Sequence, residues 1–77
     1  MKDLIEYICK NIVNNPDDVK VEEHQSEYGM ITIDIQVNPE DMGKIIGKGG
    51  KIISAIRKIA KAKSVKMGRR VQLNILE

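Results

Sequence analysis

Eight consecutive residues, Met30 to Val37, alternate strictly in direction: Ile31, Ile33, Ile35 and Val37 point one way, Met30, Thr32, Asp34 and Gln36 the other. A period of two with one wholly aliphatic side belongs to a β-strand buried on one face. A strand of this kind cannot stand alone, so the chain must build a sheet and cover one side of it. Residues 19–26 supply a shorter strand just before, and Tyr28-Gly29 in the connection suits an antiparallel hairpin. A third strand follows much later, where Val71, Leu73 and Ile75 alternate with Gln72, Asn74 and Leu76.

The cover for the sheet comes from segments of helical period. Over residues 2–14, Leu4, Ile5, Ile8, Ile12 and Val13 recur at helical spacing, while Lys2, Glu6 and Lys10 form an i, i+4 row elsewhere. Asn14-Asn15-Pro16-Asp17-Asp18 stops that helix, since proline cannot continue it and its neighbours favour turns. Asn38-Pro39-Glu40-Asp41 opens a second helix: Asn38 caps, Pro39 suits the first helical position and two acids complement the positive end. Gly47-Lys48-Gly49-Gly50 interrupts it after about two turns. A longer helix over 51–63 then carries an apolar stripe of Ile52, Ile53, Ile56, Ile59 and Ala60. Ile45, Ile52, Ile56 and Ile59 are expected in the core. Residues 63–70 are expected as a basic loop turning at Gly68.

The element order is αββααβ. A chain of 77 residues has room for one domain, over 1–77, and one core. All three helices should lie on the apolar face of a three-stranded sheet, with water on the other. A right-handed crossover through two helices makes the second and third strands parallel. The expectation is an α+β fold with a mixed sheet.

Charge is distributed unevenly along this framework. Residues 1–41 carry three basic and ten acidic side chains, a net of −7, whereas residues 42–77 carry ten basic side chains and Glu77 alone as an acid, a net of +9. The overall +2 conceals a basic half suited to a polyanion. A single cysteine, Cys9, forms no internal disulfide and fits a reducing, cytoplasmic setting. No apolar run is long enough to span a bilayer and MKDLIEYICK lacks a signal-peptide layout.

Several chemistries fail on spacing or composition. A P-loop counted from Gly43 puts Lys48 where its second glycine must stand, and a dinucleotide fingerprint from Gly47 puts Ile52 where its last glycine belongs. One cysteine and one histidine cannot build a structural zinc site. His24 lies in the acidic half, far in sequence from any nucleophile, and the pairs Asp17-Asp18 and Glu22-Glu23 suggest no acid–base geometry. The expectation is a protein that is not an enzyme and uses no cofactor or metal. Without Phe or Trp, and with Tyr7 and Tyr28 outside the basic half, there is no aromatic platform on which to stack bases.

The run Gly43-Lys44-Ile45-Ile46-Gly47-Lys48-Gly49-Gly50-Lys51-Ile52-Ile53 resembles the G-x-x-I-G-x-x-G-x-x-I signature of KH domains, between two helices as that signature requires. The αββααβ order is similar to the type II arrangement, and the resemblance covers essentially the whole chain, as in the KhpA (YlqC-type) family of small bacterial single-KH proteins. It implies binding of single-stranded RNA, about four nucleotides in one groove, as an RNA chaperone or post-transcriptional regulator. The loop chemistry agrees. Gly47, Gly49 and Gly50 let the backbone bend and phosphates approach, the following helix offers unpaired N–H groups, and Lys48 and Lys51 add charge. Lys44 adds a further cation. Gly43, Ile46 and Ile53 would floor an apolar groove, although Ile46 and Ile53 are equally suited to the core. By resemblance the far wall is the last strand and the loop before it, with Lys66, Arg69 and Arg70; Arg69 and Arg70 are also ordinary as solvated loop residues.

An alternative stays open, a protein-interaction module with a vestigial cleft, favoured by the acidic half and an exposed sheet edge. The family resemblance also implies self-association and pairing with a larger KH-containing protein of the Jag/KhpB type. Ala55 and Ala62 give the last helix a small-residue flank for a homodimer.

Overall fold

The computed structural model describes residues 1–76. Helix α1 (Lys2–Lys10) leads through a 3₁₀ turn at Pro16–Asp18 into β1 (Lys20–Gln25), which pairs antiparallel with β2 (Met30–Gln36). A second 3₁₀ turn, Pro39–Asp41, opens α2 (Met42–Ile46), and a third, Lys48–Gly50, separates it from α3 (Lys51–Lys66). Strand β3 (Arg70–Leu76) then lies parallel to β2, with Met30 opposite Arg70 and Gln36 opposite Leu76. The sheet order is β1-β2-β3. The mixed sheet and the αββααβ order are those expected from the sequence.

The alternation in β2 produces the core directly. Ile31, Ile33 and Ile35 have no exposed surface, and Ile5 and Cys9 of α1, Ile45 of α2 and Ile56 and Ala60 of α3 pack into the same cluster. Each isoleucine so buried contributes about 2 kcal/mol of transfer free energy. Val21 and Leu73 extend the inward row into the two edge strands. Glu23 faces the same way, opposite Ile33, and its carboxylate accepts the Lys2 N–H at 3.2 Å while lying 3.8 Å from the terminal ammonium. The acid thus closes the positive end of α1, and an inward charge on an edge strand discourages pairing with another sheet. Burial pushes the Cys9 thiol up to about 11, which leaves it inert at neutral pH.

Four expectations are corrected. Helix α1 ends at Lys10 rather than near residue 14, because the Asn11 side chain donates to the Tyr7 carbonyl at 2.7 Å and the chain turns away. Ile12 and Val13 still pack against the core from the turn. Helix α3 runs on to Lys66, and the expected basic loop shrinks to Met67–Arg69. Ser64 is buried there, with its hydroxyl donating to the Lys61 carbonyl at 2.8 Å and its carbonyl accepting the Arg69 N–H at 2.9 Å. Gly68 at φ 69° makes the stop. Finally, Ile52 and Ile59 are not core residues but stand 36% and 42% exposed. The buried stripe of α3 is Ile53, Ile56, Ala60 and Ser64, a 3-4-4 spacing that turns Ile52 and Ile59 onto its flank, with Ile59 beside Leu4 of α1.

Candidate nucleic-acid interface

The short helix α2 is held by a pin that sequence reasoning missed. Asp41 is fully buried, and its carboxylate accepts from the Asn14 N–H (3.1 Å), the Asn15 N–H (3.0 Å) and the Asn15 side-chain amide (3.0 Å). Burial pushes its carboxyl upward, but these three bonds and the nearby Lys44 charge outweigh that and hold it below the usual carboxylate range. Far from merely complementing a helix end, Asp41 ties the turn after α1 to the start of α2. No sequence signal marks it, since its partners lie 26 and 27 residues away. Asn38 caps as expected, accepting the Glu40 N–H at 2.9 Å.

Past α2 the backbone enters left-handed geometry three times in four residues: Gly47 at φ 75°, Gly49 at φ 65° and Gly50 at φ 74°. Gly47 packs so closely that an added Cβ would lie 2.6 Å from Cγ1 of Ile52, whereas Gly49 and Gly50 face open space. Lys48 and Gly49 form the exposed tip, with Lys44 and Lys51 exposed on either side. Gly43 is exposed and a Cβ there meets nothing within 4 Å. Ile46 is 39% exposed, as a groove residue needs, while Ile53 is 7% exposed and belongs to the core beneath the loop. Of the two, Ile46 is available at the surface and Ile53 is not.

From this tip α3 extends about 24 Å. Arg57 and Lys61, one turn apart, form one wall of an open groove whose other wall is Val71, Gln72 and Leu73 of β3. A second hollow continues it past the end of the helix, sharing Lys61 and Val71 and adding Met30, Val65, Arg69 and Arg70. Arg69 and Arg70 are exposed as expected, and Arg69 donates to the Gln25 side chain, which fastens the α3–β3 loop to β1. Sequence reasoning missed Arg57 and Lys61 as groove residues. Their position next to the buried Ile53–Ala60 stripe was the available signal.

Among the described residues, none of the cations between Lys44 and Arg70 lies within salt-bridge distance of a carboxylate; the ion pairs involve the chain's amino end, Lys10 and His24. The basic half is thus an unneutralised row from loop to loop. No cluster of three or more His, Cys, Asp or Glu side chains suited to a metal occurs among the described residues.

A three-stranded mixed sheet, three helices on one face and a glycine loop between the second and third helices define a KH domain of αββααβ order. The profile of the KhpA/KhpB KH domain matches residues 2–75, and the chain belongs to that family. It is 43% identical to the RNA-binding protein KhpA of Halalkalibacterium halodurans over 77 residues, covering 100% of both chains. With the RNA-binding protein KhpA of Clostridium acetobutylicum it shares 47% identity over 76 residues, covering 99% of this chain and 100% of the relative. Among solved structures, Aquifex aeolicus Era bound to GDP·AlF4− matches in fold with a TM-score of 0.60 at 24% identity, over 96% of this chain and 28% of Era.

Proposed function

We propose that this chain binds single-stranded RNA along the face that runs from Gly47-Lys48-Gly49-Gly50 across the α3–β3 groove to Arg69 and Arg70. The carrying observation is the row of cations without acidic partners beside a glycine loop open to a backbone. Full-length relatives named as RNA-binding proteins support it. Lys44, Lys48 and Lys51 meet phosphates together with the exposed N–H groups at the start of α3. Gly43 and Ile46 leave an aliphatic surface for a base. The chain acts by binding, as an RNA chaperone or post-transcriptional regulator in the cytoplasm; among the described residues no helix is long and apolar enough to cross a membrane.

The test replaces Lys48 and Gly49 by Asp. Both positions are exposed, and Gly49 sits in open space at φ 65° and ψ 20°, where aspartate costs about 1 kcal/mol. Each carboxylate about 5 Å from a phosphate opposes binding by about 1 to 3 kcal/mol. RNA titration should show affinity reduced more than about 100-fold with an unchanged circular dichroism spectrum. A folded double mutant binding at native strength places the site elsewhere.

A second surface favours pairing. Leu4, Ile59 and Ala62 line a shallow apolar hollow between α1 and α3, rimmed by Lys63 and Lys66, with exposed Ile52 on the same flank. This face suits a second copy of the chain, or the KH domain of a larger protein of the Jag/KhpB type. Two clefts so joined would engage one RNA with greater avidity than either alone.

A further inference from the structure

Both tyrosines belong to the acidic half of the sequence, but the fold carries one of them to the basic end of the groove. Tyr28 stands in the turn between β1 and β2 and is 92% exposed. That turn and the α3–β3 loop share one end of the sheet. Met30 pairs with Arg70, and Arg69 donates to the Gln25 side chain on the other arm of the hairpin. Met30, Arg69 and Arg70 also line the hollow that continues the α3–β3 groove. Two residues of chain span at most about 7 Å, so the Tyr28 backbone lies no further than that from Met30 at the edge of the hollow.

The turn is built rather than slack. The Ser26 hydroxyl accepts from the N–H groups of Tyr28 (3.3 Å) and Met30 (3.1 Å). The Gly29 N–H donates to the Ser26 carbonyl at 3.1 Å, with Gly29 at φ 80°. A fixed backbone therefore holds out a ring that has almost none of its surface against protein. Glu27 is the one acid of this turn, while Arg69 and Arg70 across the sheet end have no carboxylate within salt-bridge distance among the described residues. The charges thus favour phosphates at the arginines and an uncharged, flat group at the ring.

We propose that Tyr28 stacks on one nucleobase of the RNA strand where it leaves the groove, with Arg69 and Arg70 holding the adjoining phosphates. The inference rests on the reading of this groove as the RNA cleft, and it lengthens the footprint beyond the four or so nucleotides of one KH groove. Every base has a π-face, so a phenol ring adds affinity with little preference among bases. A ring that is already exposed on a fixed turn loses no protein contact when a base covers it.

The experiment titrates the full chain with RNA of four uridines, extended at either end by two adenosines or by two abasic ribose phosphates. The backbone charge is the same in each pair, so the bases alone differ. At one end the adenosine extension should bind about tenfold more tightly than the abasic one. Tyr28→Ala should reduce that ratio below about twofold with an unchanged circular dichroism spectrum, and Tyr28→Phe should keep it. In Tyr7→Phe, Tyr28 is the sole tyrosine of a chain without Trp, and its emission should fall with the adenosine extension and not with the abasic one. Equal native binding of adenosine and abasic extensions at both ends, an undiminished ratio in Tyr28→Ala, or unquenched emission overturns the Tyr28 site, while binding of the abasic oligomers leaves the cleft standing. Failure of every oligomer to bind overturns the cleft and this inference together.

Discussion

At Gly47 the backbone adopts φ 75° and ψ 170°, a combination open in practice to glycine alone, and its Cα faces the Ile52 side chain and amide nitrogen. Gly49, two residues on, is also left-handed but borders open space. The two glycines of one motif are therefore placed differently, one fixing how α2 meets α3 and the other standing open at the loop tip. Gly47→Ala should lower unfolding free energy by about 2 to 4 kcal/mol, combining backbone strain with overpacking against Ile52. Gly49→Ala should cost about 1 kcal/mol or less. Urea melts of the two variants check the difference, and equal losses would show that Gly47 does not set the helix junction. Spacing alone made the glycine motif legible in the sequence. This division of labour was not, because it depends on which atoms face each Cα.

At the level of elements, legibility followed the distance over which each was determined. Strand β2 and the loop between α2 and α3 were readable because period and punctuation are local. The end of α1 was not, since Asn14 and Asn15 are drawn to Asp41 far along the chain. The orientation of α3 was misjudged because five apolar positions make a stripe wider than the sheet can cover. The packing chose Ile53, Ile56 and Ala60 and left Ile52 and Ile59 outside. That surplus is available for the proposed pairing of two chains. Light scattering at micromolar concentration should report a dimer of the 8.7 kDa chain, and Ile59→Glu should give a folded monomer, because a half-exposed side chain is not needed for the core. A variant that remains dimeric would move the interface off the α1–α3 flank.

Over the whole molecule the halves of the sequence become an acidic scaffold and a basic surface. The acidic first half supplies α1, β1 and β2, and the basic second half supplies the loop, α3 and β3. If about three phosphates are neutralised on a single strand, log affinity should fall against log salt with a slope near −2. A flat response would remove the electrostatic part of the reading. The parallel pairing of β2 with β3 joins positions forty apart, from Met30 with Arg70 to Gln36 with Leu76. Closing so long a loop is entropically slow compared with forming the β1–β2 hairpin. During synthesis, then, the hairpin can form early, but one wall of the groove does not exist until residue 76 has emerged. A partly made chain displays the glycine loop and the lysines with no strand opposite α3. The groove between α3 and β3 is completed in a single step, when β3 docks.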